Sequence, residues 1–323
     1  MANPTLMDFA RRQGENDKIA KIIELLNETN EILEDMVVIE GNLQTGHMTT
    51  VRTGLPSATW RMLNYGVQPS KSQTKQVTDS CGMLEAYAEV DKDLANLNGN
   101  KAEFRLSEDR AFLEAMNQSM ASTTFYGDTT THPERFVGLA PRYDDTSAAN
   151  SDNIINGGGT GSDNTSIWLV VWGENTCHGI YPKGSKAGFS HQDLGEVTLE
   201  DAANGKYQGY RTHYKWDLGL TLRDWRYVVR IANIDVSAMI AASGAADLTK
   251  LMINATELIP NLGMGKAAFY CNKTVRTYLR HQILAKSNVN LTYENVAGKR
   301  IVAFDGIPVR RNDQILLTEA TVS

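Results

Sequence analysis

Between residues 167 and 235 the chain reads IWLVVWG (167–173), GEVTL (195–199), YRTHYKWDLGLTL (210–222) and RYVVRIANID (226–235). Each string alternates or runs apolar and is rich in β-branched and aromatic residues, which suit a pleated, half-buried surface. The breaks between them hold Gly, Asn, Asp and Pro, so the block is read as antiparallel strands.

Working outward, EFRLSEDRAFLEAMNQSMASTTFYGD (103–128) predicts a long helix. Ser107 is its expected N-cap, with Glu108 and Asp109 in a first turn where acids favour the helix dipole. Ala111, Phe112, Ala115, Met116, Ser119 and Met120 line one side, and Gly127 ends it. The Gly/Asp/Asn-rich stretch 150–164 is a turn region. On the other flank, Leu248, Leu251, Met252, Ala255, Leu258 and Ile259 predict a helix stopped by Pro260. A second follows an Asn272 cap and carries Val275, Tyr278, Leu279, Gln282 and Ile283. RIVAF (300–304), IPVR (307–310) and QILLT (314–318) close the chain as short strands. Helices and strands are segregated, which gives α+β with antiparallel sheets and excludes Rossmann and barrel architectures built on βαβ units. No internal repeat occurs.

Toward the N-terminus, Ile19, Ile22, Ile23, Leu26, Leu33, Met36 and Val37 recur at three- and four-residue steps between Asp17 and Glu40, the spacing of an amphipathic helix. Thr29 and Asn30 interrupt the stripe, which argues against a long zipper. Next comes TGHMTTVRTGLPSATWRMLNYGVQPSKSQTKQVT (45–78), with no apolar period. A structureless loop of this length is uncommon in a compact domain. The stretch is read as an extended two-stranded arm whose sparse apolar residues find their partner surface elsewhere.

With 323 residues, 41 % apolar and 22 % charged, the chain has material for about two cooperative units and is not disordered. Its longest apolar run, Ile167 to Trp172, is far shorter than the roughly 18 residues of a membrane-spanning helix. The N-terminus lacks the pattern of a secretory signal. Cys81, Cys177 and Cys271 form no CxxC pair, so neither a disulfide framework nor a zinc knuckle is expected. Charge is unevenly spread: residues 1–40 carry four basic against nine acidic residues, residues 101–165 five against ten, and residues 266–323 nine against four. This polarity suits a chain that meets copies of itself, with the acidic start facing the basic end across subunits.

Catalytic constellations are missing. Gly157 to Gly161 has no GK[ST] after it and leads into a strand, so it is read as a surface turn and not a phosphate cradle. The six histidines have no metal-ligand spacing. Cys177 and His178 are adjacent on a strand and point to opposite faces, where they cannot share a proton. Asp144 and Asp145 sit in a turn with no matching acids. Trp168, Trp172, Trp216 and Trp225 fall on strands, where core packing explains them; the competing reading is a glycan-binding or glycan-cleaving β-rich protein using them as a platform. With no cofactor or metal signalled, the chain is read as built for contacts and not as an enzyme.

LPSATWRMLNYG (55–66), LSEDRAFLEAM (106–116), PERFVGLAPRY (133–143), SIWLVVWGENTCHGIYPKGSKAG (166–188), WDLGLTLRDWRYVVRIANID (216–235) and FDGIPVRRNDQILLTEA (304–320), as an ordered set, resemble major capsid proteins of tailed bacteriophages, particularly Bordetella-type podoviruses. The resemblance implies the Hong Kong 97-type capsid fold: an N-terminal arm (1–45), an extended E-loop (46–100), a peripheral domain with the spine helix (101–240) and an axial domain (241–323). The Trp/Arg-rich strands precede the cap-and-helix segment FYCNKTVRTYL (269–279), so the resemblance implies a permuted order. It implies self-assembly into hexamers and pentamers of an icosahedral shell around double-stranded DNA, assembled in the host bacterial cytoplasm and residing in the virion. Scaffolding, portal and cement proteins are the implied partners, with no membrane; another virion component is the remaining alternative. The E-loop residues Leu55, Trp60, Met62, Leu63 and Tyr65 are the expected inter-subunit contacts, since they need burial and have no local partners. Lys71 and Lys75 match no crosslinking motif and are read as solvated charge. Contact with DNA is expected to be weak and non-specific, with Arg223, Arg226 and Arg230 the candidate exceptions.

Overall fold

A computed structural model of the chain describes residues 28–97, 101–201, 203–241, 246–285, 291–296 and 299–323. Its strands in chain order are β1 (Val38–Glu40), β2 (Gly46–Gly54), β3 (Gln73–Asp91), β4 (Ile154–Asn156), β5 (Asn164–Trp172), β6 (Cys177–Tyr181), β7 (Phe189–Glu200), β8 (Lys206–Leu222), β9 (Val228–Asp235), β10 (Lys266–Cys271), β11 (Leu291–Val296), β12 (Lys299–Phe304) and β13 (Ile307–Arg311).

Every residue of β5 is buried, which explains why IWLVVW runs apolar instead of alternating: both faces of this strand are covered. It lies between antiparallel neighbours β9 and β10. Ile167, Leu169 and Val171 face one core with Val229, Ile231 and Phe269, closed by Leu248, Met252 and Ala255 of helix Leu248–Leu258 and by Val275 and Leu279 of helix Lys273–Ala285. Trp168, Val170 and Trp172 face the opposite core with Tyr270, Met120, Phe125, Phe136, Leu139 and Tyr143. Each such side chain contributes on the order of 1.5–3 kcal/mol when fully buried. The Trp168 ring sits 6.0 Å from both Phe125 and Tyr143, and the Trp172 indole N–H donates to the Tyr270 hydroxyl at 2.8 Å. These tryptophans are core, so neither can form a glycan platform.

Strand β13 pairs with β10, and β12 with β13, so the C-terminal strands extend the sheet that holds β5 and β9. Strands from before and after residue 240 thus share one sheet and one core.

A second region is built on β8, flanked by β3 and β7. The long helix Lys101–Tyr126 covers one of its faces. Phe104 packs with Val90, Leu94 and Tyr210, and Met116 with Ala88 and Tyr214. Ser107 is therefore not the cap: the helix begins at Lys101, and the Ser107 hydroxyl donates to the Phe104 carbonyl inside it. Burial of Phe104 carries the helix past the local stop signal, a tertiary override of propensity. Of the expected stripe, Met116 and Met120 are buried, whereas Ala111, Ala115 and Ser119 face solvent.

Two further expectations are corrected. The N-terminal helix does not run to Glu40: residues 17–27 lie outside the described residues, Ile32–Asp35 form one helical turn, and Val38 to Glu40 pair in parallel with β6. The β-branched run Val37, Val38 and Ile39 gains a strand neighbour there that a helix would forgo. QILLT is not a strand. Its segment is held by single bridges, Asn312 to Asn30 and Glu319 to Asn164, and by side chains. The Glu319 carboxylate accepts from Arg230 at 2.9 Å and from the hydroxyls of Ser166 and Tyr126.

Among the described residues, two acids of the start and two bases of the end pair inside one chain. Asp35 accepts from Lys266, from Arg310 Nη2 at 3.1 Å and from the Tyr270 hydroxyl at 3.0 Å, and Arg310 also pairs with Glu31 at 3.4 Å. This pairing removes those residues from the inter-subunit complementarity expected from charge alone.

Candidate assembly surfaces

Strands β2 and β3 form a hairpin paired from Gly46↔Ser80 to Gly54↔Gln73, with a register shift between Arg52 and Gly54. Its sequence is Thr- and Val-rich, which suits strands, while Pro56, Asn64, Gly66 and Pro69 interrupt pairing beyond Gly54. The tip loop between the strands is closed by Ser70 Oγ donating to the Ser57 carbonyl at 2.9 Å and by a turn in which Tyr65 N–H meets the Met62 carbonyl at 3.2 Å. Asn64, at φ 66°, supplies the left-handed residue of that turn.

All five residues expected to contact a neighbour lie on this tip, and all are exposed. Trp60 is 101 % exposed, Leu63 85 %, Leu55 82 %, Met62 68 % and Tyr65 67 %. Scattered exposed apolar residues are ordinary, whereas these five fall within residues 55–65 of one loop. Residues 41–78 also carry Arg52, Arg61, Lys71 and Lys75 with no acid, so the hairpin is cationic as well as apolar. A second exposed row lies on the face of β3 away from the long helix: Met83 and Tyr87 stand beside Glu85 and Glu89, which pair with Lys215 and Arg211 of β8.

The hairpin root carries residues that spacing could not bring together. Arg142 Nη2 donates to Asp79 Oδ1 at 2.9 Å and to the carbonyls of Val137 and Leu220, which ties β3 to the body. Asn42 brackets β2 by donating to the Met48 carbonyl at 2.8 Å and accepting from its N–H at 2.7 Å. His47 faces Asp79 across the hairpin, and its ring meets that of His178 of β6 edge-on at 5.9 Å. Gly46 is required here, since a Cβ would fall 2.0 Å from the Asp79 carbonyl oxygen.

Elsewhere the candidates for chemistry resolve into structure. Gly157 and Gly159 donate backbone N–H groups to Ala232 and Asn233, so the glycine run packs along β9. Among the described residues no group of His, Cys, Asp and Glu is placed to hold a metal. Cys177 is buried, and that burial pushes its thiol up to about 12, far from a reactive thiolate. Arg226 chelates Asp224 at 3.0 and 2.7 Å, while Arg230 is spent on buried Glu319.

Comparison with known proteins places this architecture. The family model described as "Major capsid protein GP7" matches residues 14–323. A chain of the bacteriophage Epsilon15 structure superposes with a TM-score of 0.80 at 41 % identity, covering 100 % of this chain and 98 % of that one. The bacteriophage JBD30 capsid matches at 10 % identity with a TM-score of 0.49 over 90 % of this chain and 92 % of that one. Among curated proteins none matches. The α+β architecture described above is thus the Hong Kong 97-type capsid fold, and the chain belongs to the GP7 family of major capsid proteins, which form the icosahedral shell of the tailed-phage virion.

Proposed function

We propose that the chain builds its shell by passing the β2–β3 hairpin, the E-loop, from each copy onto the next, in hexamers and pentamers that enclose double-stranded DNA. The observation that carries this reading is the set of five large apolar side chains left bare on one cationic tip. A monomer gains nothing from such a tip, whereas a neighbour that buries it gains its hydrophobic free energy. The role is structural and non-catalytic. A scaffolding protein, a portal and a cement protein are the partners such a shell calls for, and assembly takes place in the host bacterial cytoplasm.

Trp60→Ala tests the reading. The subunit should fold and melt as the wild type does, because Trp60 touches nothing in its own chain. Losing about 3–5 kcal/mol of contact per copy should raise the protein concentration needed for assembly by at least about a hundredfold, followed by light scattering and electron microscopy. A variant that assembles normally, or that unfolds as a subunit, contradicts the reading.

A further inference from the structure

We propose that the His47–His178–Arg223 contact at the root of the hairpin is an acid-sensitive latch that fixes the hairpin to the body when both imidazoles are neutral and releases it when they gain protons. The latch is a property of the single subunit, so its test stands or falls apart from the assembly reading.

His47 is the second residue of β2, and its Nδ1 accepts from the Asn42 N–H at 3.3 Å, closing the turn that starts the hairpin. Its Nε2 lies 3.3 Å from Arg223 Nη2. A neutral imidazole accepts from only one of these two donors, and an imidazolium from neither. His178, on β6, is fully buried behind His47, and neither ring nitrogen has a well-formed hydrogen bond. Three groups that would be cationic together are thus stacked between the hairpin and the sheet.

The facing groups from every packed element are few. From β3 come Asp79 and the Cys81 thiol, the latter pushed up to about 11 by burial and therefore neutral. Asp79 is half committed to Arg142 from the 140–142 turn, while its Oδ2 is buried without a partner. Arg223 follows β8, and its Nε is likewise buried and unpaired. One carboxylate therefore faces two guanidinium groups and two imidazoles. Asp79 favours a proton on His47, but burial and Arg223 outweigh it and hold His47 below its ordinary value. Burial, Arg223 and His47 push His178 down to about 4, with the Gly173 backbone compensating only in part.

The closed root binds fewer protons than the open one, so the latch acts fully above the ordinary histidine value of 6.5 and is lost as pH falls toward 4. His178 alone then shifts the opening equilibrium by up to about tenfold per pH unit, to a ceiling of about 300-fold.

Hydrogen exchange of the full-length subunit between pH 7 and 4.5, corrected for the intrinsic pH dependence of exchange, reads this directly. Peptides covering 41–54 and 73–82 should lose protection progressively below pH 6.5, while β5 and β10 stay protected. His178→Phe, which fills the site without a titrating nitrogen, should flatten that dependence. If this variant does not fold, the imidazole resonances of the wild type decide: His178 should stay unprotonated from pH 8 to 5 while the root remains closed. Root protection unchanged down to pH 4.5, loss in step with β5, or a His178 that gains its proton between pH 7 and 6 in the closed root would each overturn the proposal.

Discussion

Arg230 and Glu319 are 5 % and 4 % exposed and join β9 to the C-terminal tail, with Ser166 and Tyr126 completing the carboxylate's hydrogen bonds. Removing one partner leaves a buried charge uncompensated, so Glu319→Ala or Arg230→Met should cost about 3–5 kcal/mol in urea unfolding, whereas replacing both together with apolar residues should cost much less. Burial and the neighbouring Glu319 carboxylate raise the Tyr126 hydroxyl well above its ordinary range, so it stays a donor at any physiological pH. At the hairpin root, Gly46→Ala should prevent β2 from closing on β3. Such a subunit keeps its β5-centred core but shows a protease-sensitive hairpin; a resistant hairpin would contradict the close approach. The sequence made Trp168 and Trp172 legible as core because they sit inside a strand pattern, and Trp60 legible as different because nothing periodic surrounds it. Arg142, Asp79, His47 and His178 were not legible as a group, since each reads as an ordinary polar residue until the sheet register sets them side by side.

At the scale of elements, strand content from 167 to 235 and both C-terminal helices were readable because apolar period and breakers agreed. The misplaced boundaries share one cause: a local signal met a stronger tertiary one. Ser107 looked like a cap, but Phe104 has a pocket to fill, and the helix extends to Lys101. The stripe through Met36 looked helical, but β6 offers an open edge to Val38, Ile39 and Glu40. The hairpin is the element with least tie to its own core beyond its root. Replacing residues 55–72 with a two-residue Asn-Gly turn should therefore leave the subunit's melting temperature within a few degrees of the wild type, because no buried contact is lost. The same change should abolish shells. A large drop in melting temperature would show that the tip supports its own chain.

Across the whole molecule, the net charge of −6 hides an internal neutralisation. Asp35, Glu31, Lys266 and Arg310 pair within the chain, so Asp35→Asn should lower subunit stability and leave the salt dependence of assembly largely as it was. With Arg226 and Arg230 committed to Asp224 and Glu319, and Arg223 at the hairpin root, the arginines expected to grip a genome are occupied. Unassembled subunits should bind linear duplex DNA no tighter than roughly 10⁻⁴ M at physiological salt, and retention at micromolar protein in a gel shift would contradict this. The central claim, that the hairpin tip is bare in the subunit and buried between copies in the shell, is tested most directly by hydroxyl-radical footprinting read by mass spectrometry. Trp60 and Met62 should oxidise readily in free subunits and be protected at least about tenfold in assembled shells, with Trp168 and Trp172 unreactive in both, since oxidation follows solvent access. Equal oxidation of Trp60 in the two states would contradict the account.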